Sequence, residues 1–330
     1  MSMADDEVRF ADRMEEYRQE LRVHCYRMLG SFVDAEDHVQ ETLLRAWRSR
    51  SSFEGRSTLR AWLYRIATNV CLDTLRRHPE RVLPAGTGME PSEIPWLQPY
   101  PDRLLDRVAS PADQPDARVV ARETIELAYL AVIQLLPPNQ RAVLILRDVL
   151  DWSAAETADL LDTSVASVTS ALQRARATLR QHRPSGRNGR NDRHGEASAA
   201  ERRLLQRYID AHLRTDTNAL VSMMREDIRF TMPPQPTLYQ GRAALTDFFA
   251  DTFGPGLPGE FLLVATTANR QPAAANYLRA PGDTEFRAMS LDVLRFEDGQ
   301  LAEITTFEPA LFTHFGLPTI LPESGVMPTA

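Results

Sequence analysis

Lysine is absent from this 330-residue sequence, so all 38 of its Lys and Arg positions are arginine. Cysteine is scarce, and the spacing of Cys25 and Cys71 matches neither a metal-ligand motif nor a disulfide framework. No apolar run approaches the roughly 20 residues of a membrane span, and the N-terminal MSMADDEVRF lacks the apolar segment of a signal peptide. These absences predict a cytoplasmic protein in a reducing compartment, with no metal, no cofactor and no membrane partner.

A net charge of −7 hides one strongly basic segment. Residues 164–193 contain seven arginines and one acidic residue, a local charge of +6, whereas residues 201–330 contain 11 arginines and 16 acidic residues, a charge of −5. Positive charge concentrated in an acidic chain favours an anionic partner such as DNA. A solvated face of a helical bundle is the alternative.

Hydrophobic periodicity and proline content divide the chain into five segments. Residues 1–80 and 117–183 have helical periodicity, and the proline-rich residues 81–116 between them predict an extended linker. Residues 184–200, rich in Gly, Ser and Asn, predict a flexible tether. Residues 201–330 combine helices with strand-like stretches, a bulge where the apolar alternation shifts between Val293 and Leu294, and a hairpin turn at Asp298-Gly299. We therefore expect two all-α domains followed by an α+β domain.

The stretch DWSAAETADLLDTSVASVTSALQRARATL predicts a helix-turn-helix. Ser153 and Glu156 have capping-box spacing, and the second helix begins near Ser164. Five apolar residues of that helix lie within one arc and are expected to pack inward: Val165, Val168, Leu172, Ala175 and Leu179. The polar side chains opposite them can contact base edges, and the arginines can contact phosphates or guanine.

An acidic helix precedes this unit. Asp34, Asp37 and Glu41 share one face of the helix predicted over residues 31–47, with no basic residue between them. Such a face suits a basic protein surface, although a solvated face is the alternative.

The next stretch, residues 51–77, combines a Gly-containing loop with aromatic residues and several arginines. This composition is typical of surfaces that stack unpaired bases and hold phosphates. For Trp62 and Tyr64, burial in the core is the alternative.

Three segments resemble the extracytoplasmic-function (ECF) sigma factors of bacterial RNA polymerase: DAEDHVQETLLRAW, FEGRSTLRAWLYRIATNVCLDTLRR and LPPNQRAVLILRDVLDWSAAETADLLDTSVASVTSALQRARATL. The resemblance implies that residues 1–80 are region 2, which binds the polymerase clamp and the minus-ten element. Residues 117–183 are then region 4, which binds the minus-thirty-five element and the polymerase flap. The linker would thread the polymerase cleft, unless it is a plain spacer.

The resemblance also implies residue roles. Clamp contacts fall on Asp34, Glu36, Asp37, Gln40 and Glu41. Minus-ten contacts fall on Phe53, Gly55, Arg56, Ser57, Trp62, Arg65, Asn69, Arg76 and Arg77. Minus-thirty-five contacts fall on Ser164, Ser167, Thr169, Ser170, Arg174, Arg176 and Arg180. Many family members have Lys or Arg where this chain has Thr169 and Ala171, so fewer basic contacts are expected in the groove.

Residues 201–330 resemble the SnoaL-like branch of the NTF2-like fold, a cone of curved sheet wrapped by helices, in the order and patterning of their elements. In sigma factors with this fusion, the resemblance implies control of activity in cis. The opposite charges suggest an intramolecular contact between this domain and the sigma domains. A pocket for an unknown small ligand would be lined by Tyr208, Asp227, Phe230, Met232, Tyr239 and Phe249.

Two other functions stay open. A SnoaL-like cyclase or isomerase, or a ligand sensor, could carry the helix-turn-helix as a regulatory arm, with Tyr208, Asp210, His212 and Asp227 as candidate acid, base and aromatic hydroxyl groups. A free-standing helix-turn-helix regulator would bind duplex DNA without polymerase. The acidic helix and the FEGRSTLRAWL stretch favour the sigma factor, for which no enzymatic chemistry is expected.

Overall fold

The computed structural model describes residues 3–53, 55, 57–81, 94–105, 125–182, 198–254 and 258–325. The chain divides into two compact units. The first draws on Met1–Pro91 and Leu104–Ser185, and the second on Ser92–Arg103 and Gly186–Ala330. Within the described ranges, no helix combines the length and apolar character needed to cross a membrane.

The N-terminal half of the first unit is a helical bundle. It contains α1 (Met3–Glu15), α2 (Arg18–Leu29), α3 (Phe32–Arg48) and α4 (Leu59–Arg77), with 3-10 turns at Arg50–Ser52 and Pro79–Arg81. Ser31 and Thr58 cap α3 and α4, because each side chain accepts a hydrogen bond from a backbone N–H of the first turn. The helices bury Leu21, Val39 and Leu63 between them.

The C-terminal half of this unit is the predicted helix-turn-helix with its preceding helices. The short helix α5 (Asp102–Leu105) begins in the second unit and ends in the first. The elements after it are α6 (Leu127–Gln134), α7 (Pro138–Leu144) with a π-helical turn at Ile145–Val149, α8 (Ala154–Leu160) and α9 (Val165–Gln181). The capping box of Ser153 and Glu156 is confirmed. Val168, Leu172 and Ala175 are buried as predicted, but Val165 is 48% exposed. That prediction was wrong, because the core contact of α9 begins one turn later, at Val168.

Arg141 of α7 joins the two halves. Its fully buried guanidinium donates to Met28 O at the end of α2, to Leu136 O at 3.1 Å, and to the backbone and side-chain oxygens of Gln134 at 2.8 and 2.6 Å. Carbonyls at helix C-termini carry partial negative charge, so they stabilise this cation without a carboxylate. Burial lowers the pKa of Arg141 to about 9, which leaves it charged at neutral pH.

Gln134 completes the contact between the halves. Its side-chain amide donates to Arg27 O at 3.1 Å. Gly30 ends α2 with a φ of +75°, and a Cβ there would lie 2.9 Å from the Gln134 side chain. Glycine is therefore required at this position for both its backbone conformation and its size.

We expect Arg141→Ala to lower the free energy of unfolding of the first unit by about 3–5 kcal/mol, because it leaves several buried oxygens without donors. Urea titration followed by tryptophan fluorescence measures the change, since Trp47, Trp62 and Trp152 all lie in this unit. Arg174→Ala, at an exposed position of α9, is the matched control and should stay within about 0.5 kcal/mol. Equal losses in the two variants would contradict the assignment.

The second unit contains a curved sheet and three helices. The helices are α10 (Ala199–Leu213), α11 (Thr217–Ser222) and α12 (Arg242–Thr252), and a 3-10 helix follows at Pro309–Phe315. The strands are β1 (Met224–Met232), β2 (Gln235–Gln240), β3 (Glu260–Ala268), β4 (Gln271–Arg279), β5 (Glu285–Glu297), β6 (Gln300–Phe307) and β7 (Ile320–Pro322). Their order is β2-β1-β6-β5-β4-β3, with β7 paired to β5. Only the β1–β6 pairing is parallel among the described strands.

The predicted α+β class is confirmed, with two strands missed, β2 and β7. β2 contains Pro236, which the ladder tolerates because β2 is an edge strand. The bulge predicted between Val293 and Leu294 was misplaced, because these residues pair in register with Thr305 and Ile304 of β6. β5 instead bulges at Met289, because Asn276 pairs with Ser290 and Tyr277 with Ala288, which leaves Met289 extra. Asp298 and Gly299 both have positive φ, as a tight hairpin turn requires.

Part of the predicted linker belongs to the second unit. Tyr100 N–H donates to Asn269 Oδ1 at 2.7 Å, and Tyr100 O accepts from Asn269 N–H at 3.0 Å. Asp102 Oδ1 accepts from Arg270 N–H at 2.9 Å, and the Arg103 guanidinium donates to His314 O at 2.6 and 3.0 Å. Residues 94–103 are therefore a docked segment rather than a plain spacer. Linker residues 82–93 and 106–116, and tether residues 184–197, lie outside the described residues.

Candidate nucleic-acid interface

The outer face of α9 is the first candidate surface. Its exposed residues are Val165, Ala166, Ser167, Thr169, Ser170, Gln173, Arg174, Arg176, Ala177 and Arg180. Ala171 is buried, so the position that carries a basic residue in many family members does not face outward here. The face is open along the helix, as contact with a DNA groove requires.

Hydrogen bonds inside the helix engage most of the hydroxyls predicted to contact bases. Ser164 Oγ accepts from Ser167 N–H at 3.1 Å and lies 2.9 Å from Ser167 Oγ. Thr169 Oγ1 donates to Val165 O at 2.9 Å. Ser164 therefore acts as the N-cap of α9.

The arginines of α9 differ in how free they are. Arg176 forms a bidentate ion pair with Asp148, in which Nη2 donates to Oδ1 at 2.7 Å and Nε donates to Oδ2 at 2.9 Å. These bonds raise the pKa of Arg176. Arg174 and Arg180 are exposed and make no ion pair with other described residues, so they are better placed than Arg176 to contact phosphates.

The second candidate surface lies on α4 and the loop before it. Trp62, Arg65, Asn69 and Arg76 are spaced three, four and seven residues apart, so they share one face of α4. The Phe53 and Trp62 rings lie 5.2 Å apart between centroids, and both remain partly exposed. Gly55, Ser57, Asn69, Arg76 and Arg77 are exposed, whereas Arg56 lies outside the described residues.

A contact with the helix-turn-helix covers part of this surface. Arg65 donates to Asp159 of α8, at 2.6 Å to the carboxylate and 2.7 Å to the backbone oxygen. The Tyr64 ring, buried beneath it, lies 5.5 Å from the Trp152 ring. In this arrangement Arg65 is not available to a DNA strand.

The acidic face of α3 is less free than its sequence suggests. Asp34 pairs with Arg81, Glu36 with Arg22, and Glu41 with Arg45. These arginines come from other helices or from the next turn, which the spacing of the acids did not reveal. Among the predicted clamp residues, Asp37 and Gln40 are exposed.

Apolar side chains extend this exposed part of α3. Val33 and Leu44 are 38% and 50% exposed and fall on the same line as Asp37 and Gln40. Beside it, α1 and α3 form a groove of about 470 Å³ lined by Ala11, Met14, Glu15, Arg18, Gln40, Leu43, Leu44 and Trp47. A mixed apolar and acidic surface of this kind suits a protein partner.

Comparison with known proteins identifies the family. Residues 14–80 match Sigma-70 region 2, residues 126–179 match Sigma-70, region 4, and residues 205–304 match the SnoaL-like domain. The ECF RNA polymerase sigma factor SigG of Mycobacterium tuberculosis is 43% identical over 324 residues, covering 94% of this chain and 85% of SigG. The chain belongs to the ECF sigma factors.

Two more relatives locate the parts of this sigma factor. SigJ of Mycobacterium tuberculosis is 29% identical over 301 residues, covering 88% of each chain. The SigJ crystal structure aligns with a TM-score of 0.58 and 25% identity over 93% of this chain and 99% of SigJ. SigW of Bacillus subtilis is 32% identical over 177 residues, which is 53% of this chain and 89% of SigW. The architecture with a SnoaL-like domain is therefore shared with SigJ.

The interior of the SnoaL-like domain brings most of the predicted pocket residues together as core. The Phe230 ring lies 5.9 Å from Tyr239 and 6.4 Å from Phe249 between centroids, and Met232 packs on the same cluster. These side chains therefore contact one another in the core of the domain. Asp227 was predicted wrongly as a pocket residue, because it is exposed and pairs with Arg225 at 2.8 Å, which lowers its pKa.

A buried carboxylate that the sequence analysis missed is Asp292. It accepts hydrogen bonds from Tyr208 Oη at 2.9 Å, Asn276 Nδ2 at 2.7 Å and Thr306 Oγ1 at 2.6 Å. Burial raises the pKa of Asp292, and burial beside Asp292 raises that of Tyr208. An acid between Leu291 and Val293 in a strand was the available signal. Asp210, also a candidate, only accepts a bond from Gln206 on α10.

His212 lies in an aromatic box next to this cluster. Its ring centroid is 4.9 Å from Tyr208, 5.6 Å from Phe249, 5.2 Å from Phe253 and 6.2 Å from Phe261. Burial lowers the pKa of His212 to about 3, so the folded domain holds it neutral.

We expect His212→Phe to remove a pH dependence of stability. As pH falls from 7.5 to 5.0, the unfolded state protonates this histidine and the folded state does not, so the wild-type second unit should lose about 2 kcal/mol. The raised pKa of Asp292 instead increases stability as the pH falls, and it does so in both the wild type and the variant. The difference between their two stability changes therefore reports His212. Urea titration at the two pH values measures it, and identical losses in both proteins would contradict the burial of a neutral histidine.

Proposed function

We propose that this ECF sigma factor directs RNA polymerase to promoters through two separate DNA contacts, region 2 on α4 and region 4 on α9. The observation that carries the proposal is the exposed face of α9, with Arg174 and Arg180 free of ion pairs to described residues, in a chain that also presents the aromatic and arginine face of α4. Unpaired bases stack on aromatic rings, and phosphates bind arginine. The same proposal places the protein in the cytoplasm, with promoter DNA and polymerase.

The closed arrangement of the first unit sets a condition for this activity. If Arg65 holds the minus-ten strand, it must first leave Asp159. Both side chains of that pair are exposed, at 44% and 82%, so the pair contributes less than about 1 kcal/mol. The Arg141 bond to Met28 O is buried and holds the halves more firmly. Polymerase would supply the binding energy that separates them.

For the polymerase contact, we propose the exposed line of α3 formed by Val33, Asp37, Gln40 and Leu44. Its apolar ends can be buried by a partner, and Asp37 provides charge specificity at the centre. Asp34, Glu36 and Glu41 instead orient the helix through their pairs with arginines.

We expect Asp37→Arg to weaken binding of the full chain to core RNA polymerase at least tenfold, because it reverses the exposed charge at the centre of that surface. Run-off transcription should fall in parallel. Asp251→Arg, at an exposed position of α12, is the matched control and should bind as the wild type does. Core binding and transcription that are unchanged by Asp37→Arg would refute the proposed surface, and a chain that never binds core would refute the proposed function.

The SnoaL-like domain would act in cis by holding residues 94–103. The sigma resemblance assigns this segment to the polymerase cleft. Here Tyr100 N–H donates to Asn269, the Asp102 carboxylate accepts from Arg270 N–H, and the Arg103 guanidinium donates to His314 O. Ile94, Leu97 and Tyr100 of the same segment are buried. A docked segment cannot enter the cleft, so docking would lower activity until it is released.

We therefore expect Asn269→Gly to raise run-off transcription about fivefold or more. Glycine keeps the φ of +54° but removes the side chain that accepts from Tyr100 N–H, at a cost of about 1–2 kcal/mol to docking. Faster hydrogen exchange of the Tyr100 amide should accompany the change. Asn218→Gly, at an exposed position of α11, tests for effects of asparagine loss elsewhere in the domain. Faster exchange without higher activity would show that docking does not restrain the linker.

We propose no catalytic role for the SnoaL-like domain. Asp292 beside Tyr208 is the arrangement that a proton-transfer enzyme uses, but its two oxygens already accept three side-chain hydrogen bonds. The aromatic residues expected to line a pocket pack against one another in the core. These contacts favour a structural role for the cluster over an enzyme or a small-ligand sensor.

A further inference from the structure

The first two turns of α9 present an unusual surface for a helix that contacts DNA. No charged residue occurs between Val165 and Gln173, and Arg174 is the first. Of the four hydroxyl residues there, Ser164, Ser167 and Thr169 are bonded within the helix. Ser170 has no partner among the described residues. The start of the helix is therefore mainly apolar on its outer side.

Two side chains create this apolar surface. Val165, the first residue of α9, is 48% exposed and is not among the buried residues of the helix. Thr169 is exposed one turn later, and its hydroxyl is turned back onto Val165 O. The methyl group is then what Thr169 presents outward. Ala166, also exposed, lies between them.

In a helix-turn-helix, the N-terminal residues of the second helix contact base edges in the major groove. The apolar group displayed in that groove is the 5-methyl group of thymine. A bidentate contact with guanine needs arginine or lysine, which these turns lack. The surface therefore matches thymine better than guanine.

We propose that Val165 and Thr169 recognise thymine 5-methyl groups in the minus-thirty-five element. The inference rests on the proposed function of α9 as the helix that contacts this element. One helical turn rises about 5.4 Å, and successive bases rise about 3.4 Å, so the two side chains reach bases one or two steps apart. Exposed Gln173 can bond adenine, which also favours A·T pairs.

The test uses the full chain with core RNA polymerase. Promoter DNA is first selected from a random library, and each thymine of the minus-thirty-five element is then replaced by deoxyuridine, which lacks only the methyl group. We expect one or two positions at which the replacement raises Kd about fourfold, the effect of losing one buried methyl-sized group.

Two variants assign the effect to its side chains. Thr169→Ser keeps the hydroxyl and removes the methyl, and Val165→Ala shortens the apolar group. Each should reduce the thymine-to-uracil ratio at its own position to about one, in a double-mutant cycle between protein and DNA. Arg174→Ala should weaken thymine and uracil probes equally.

The outcomes separate the inference from the function beneath it. If uracil binds as well as thymine at every position while Arg174→Ala still weakens binding, the methyl contact is wrong and the function of α9 stands. If the bases selected opposite the first two turns of α9 are all in G·C pairs, the methyl contact is likewise wrong and the function of α9 stands. If no minus-thirty-five element is selected and Arg174→Ala changes nothing, the proposed function of α9 fails as well.

Discussion

The buried guanidinium of Arg141 is the interaction on which the first unit depends. It holds the C-terminal ends of α2 and α6 against each other through carbonyls alone, so the cation satisfies partial charges that two helices would otherwise bury. Two further contacts join the halves: Trp152 lies against Tyr64, and Asp159 accepts from Arg65. The helices proposed to bind DNA are thereby coupled in one unit before any DNA is bound.

The second unit holds the linker by a different means. The Asn269-Arg270 turn has two residues with positive φ, an arrangement that costs free energy in residues other than glycine. Both N–H groups of this turn are bonded to the linker, to Tyr100 O and to Asp102 Oδ1. Because the backbone of this turn is already fixed, its two N–H groups can bind the linker without a further loss of conformational entropy. Regulation by such a contact requires no chemistry and no ligand, only competition for one segment of chain.

The interior of the SnoaL-like domain contains two clusters of buried side chains. An aromatic cluster occupies one part, and the carboxylate of Asp292 collects three donors in another. Because each of these donors comes from a different element, the cluster fixes the position of α10 relative to β4, β5 and β6. His212, neutral and enclosed by rings, adds a polar group whose burial lowers the stability of the domain as the pH falls below neutral.

Local patterns in the sequence determined the helices, their caps and the hairpin turn, because these depend on neighbours within a few residues, such as Ser153 with Glu156. The three motif segments were enough to predict the family. Which side chains are free was decided only by the tertiary structure, since Arg65 and Asp34 looked available until Asp159 and Arg81, both distant in sequence, were placed beside them. Periodicity predicts which residues share a face of a helix, but the side chains that pair with them come from elsewhere in the chain.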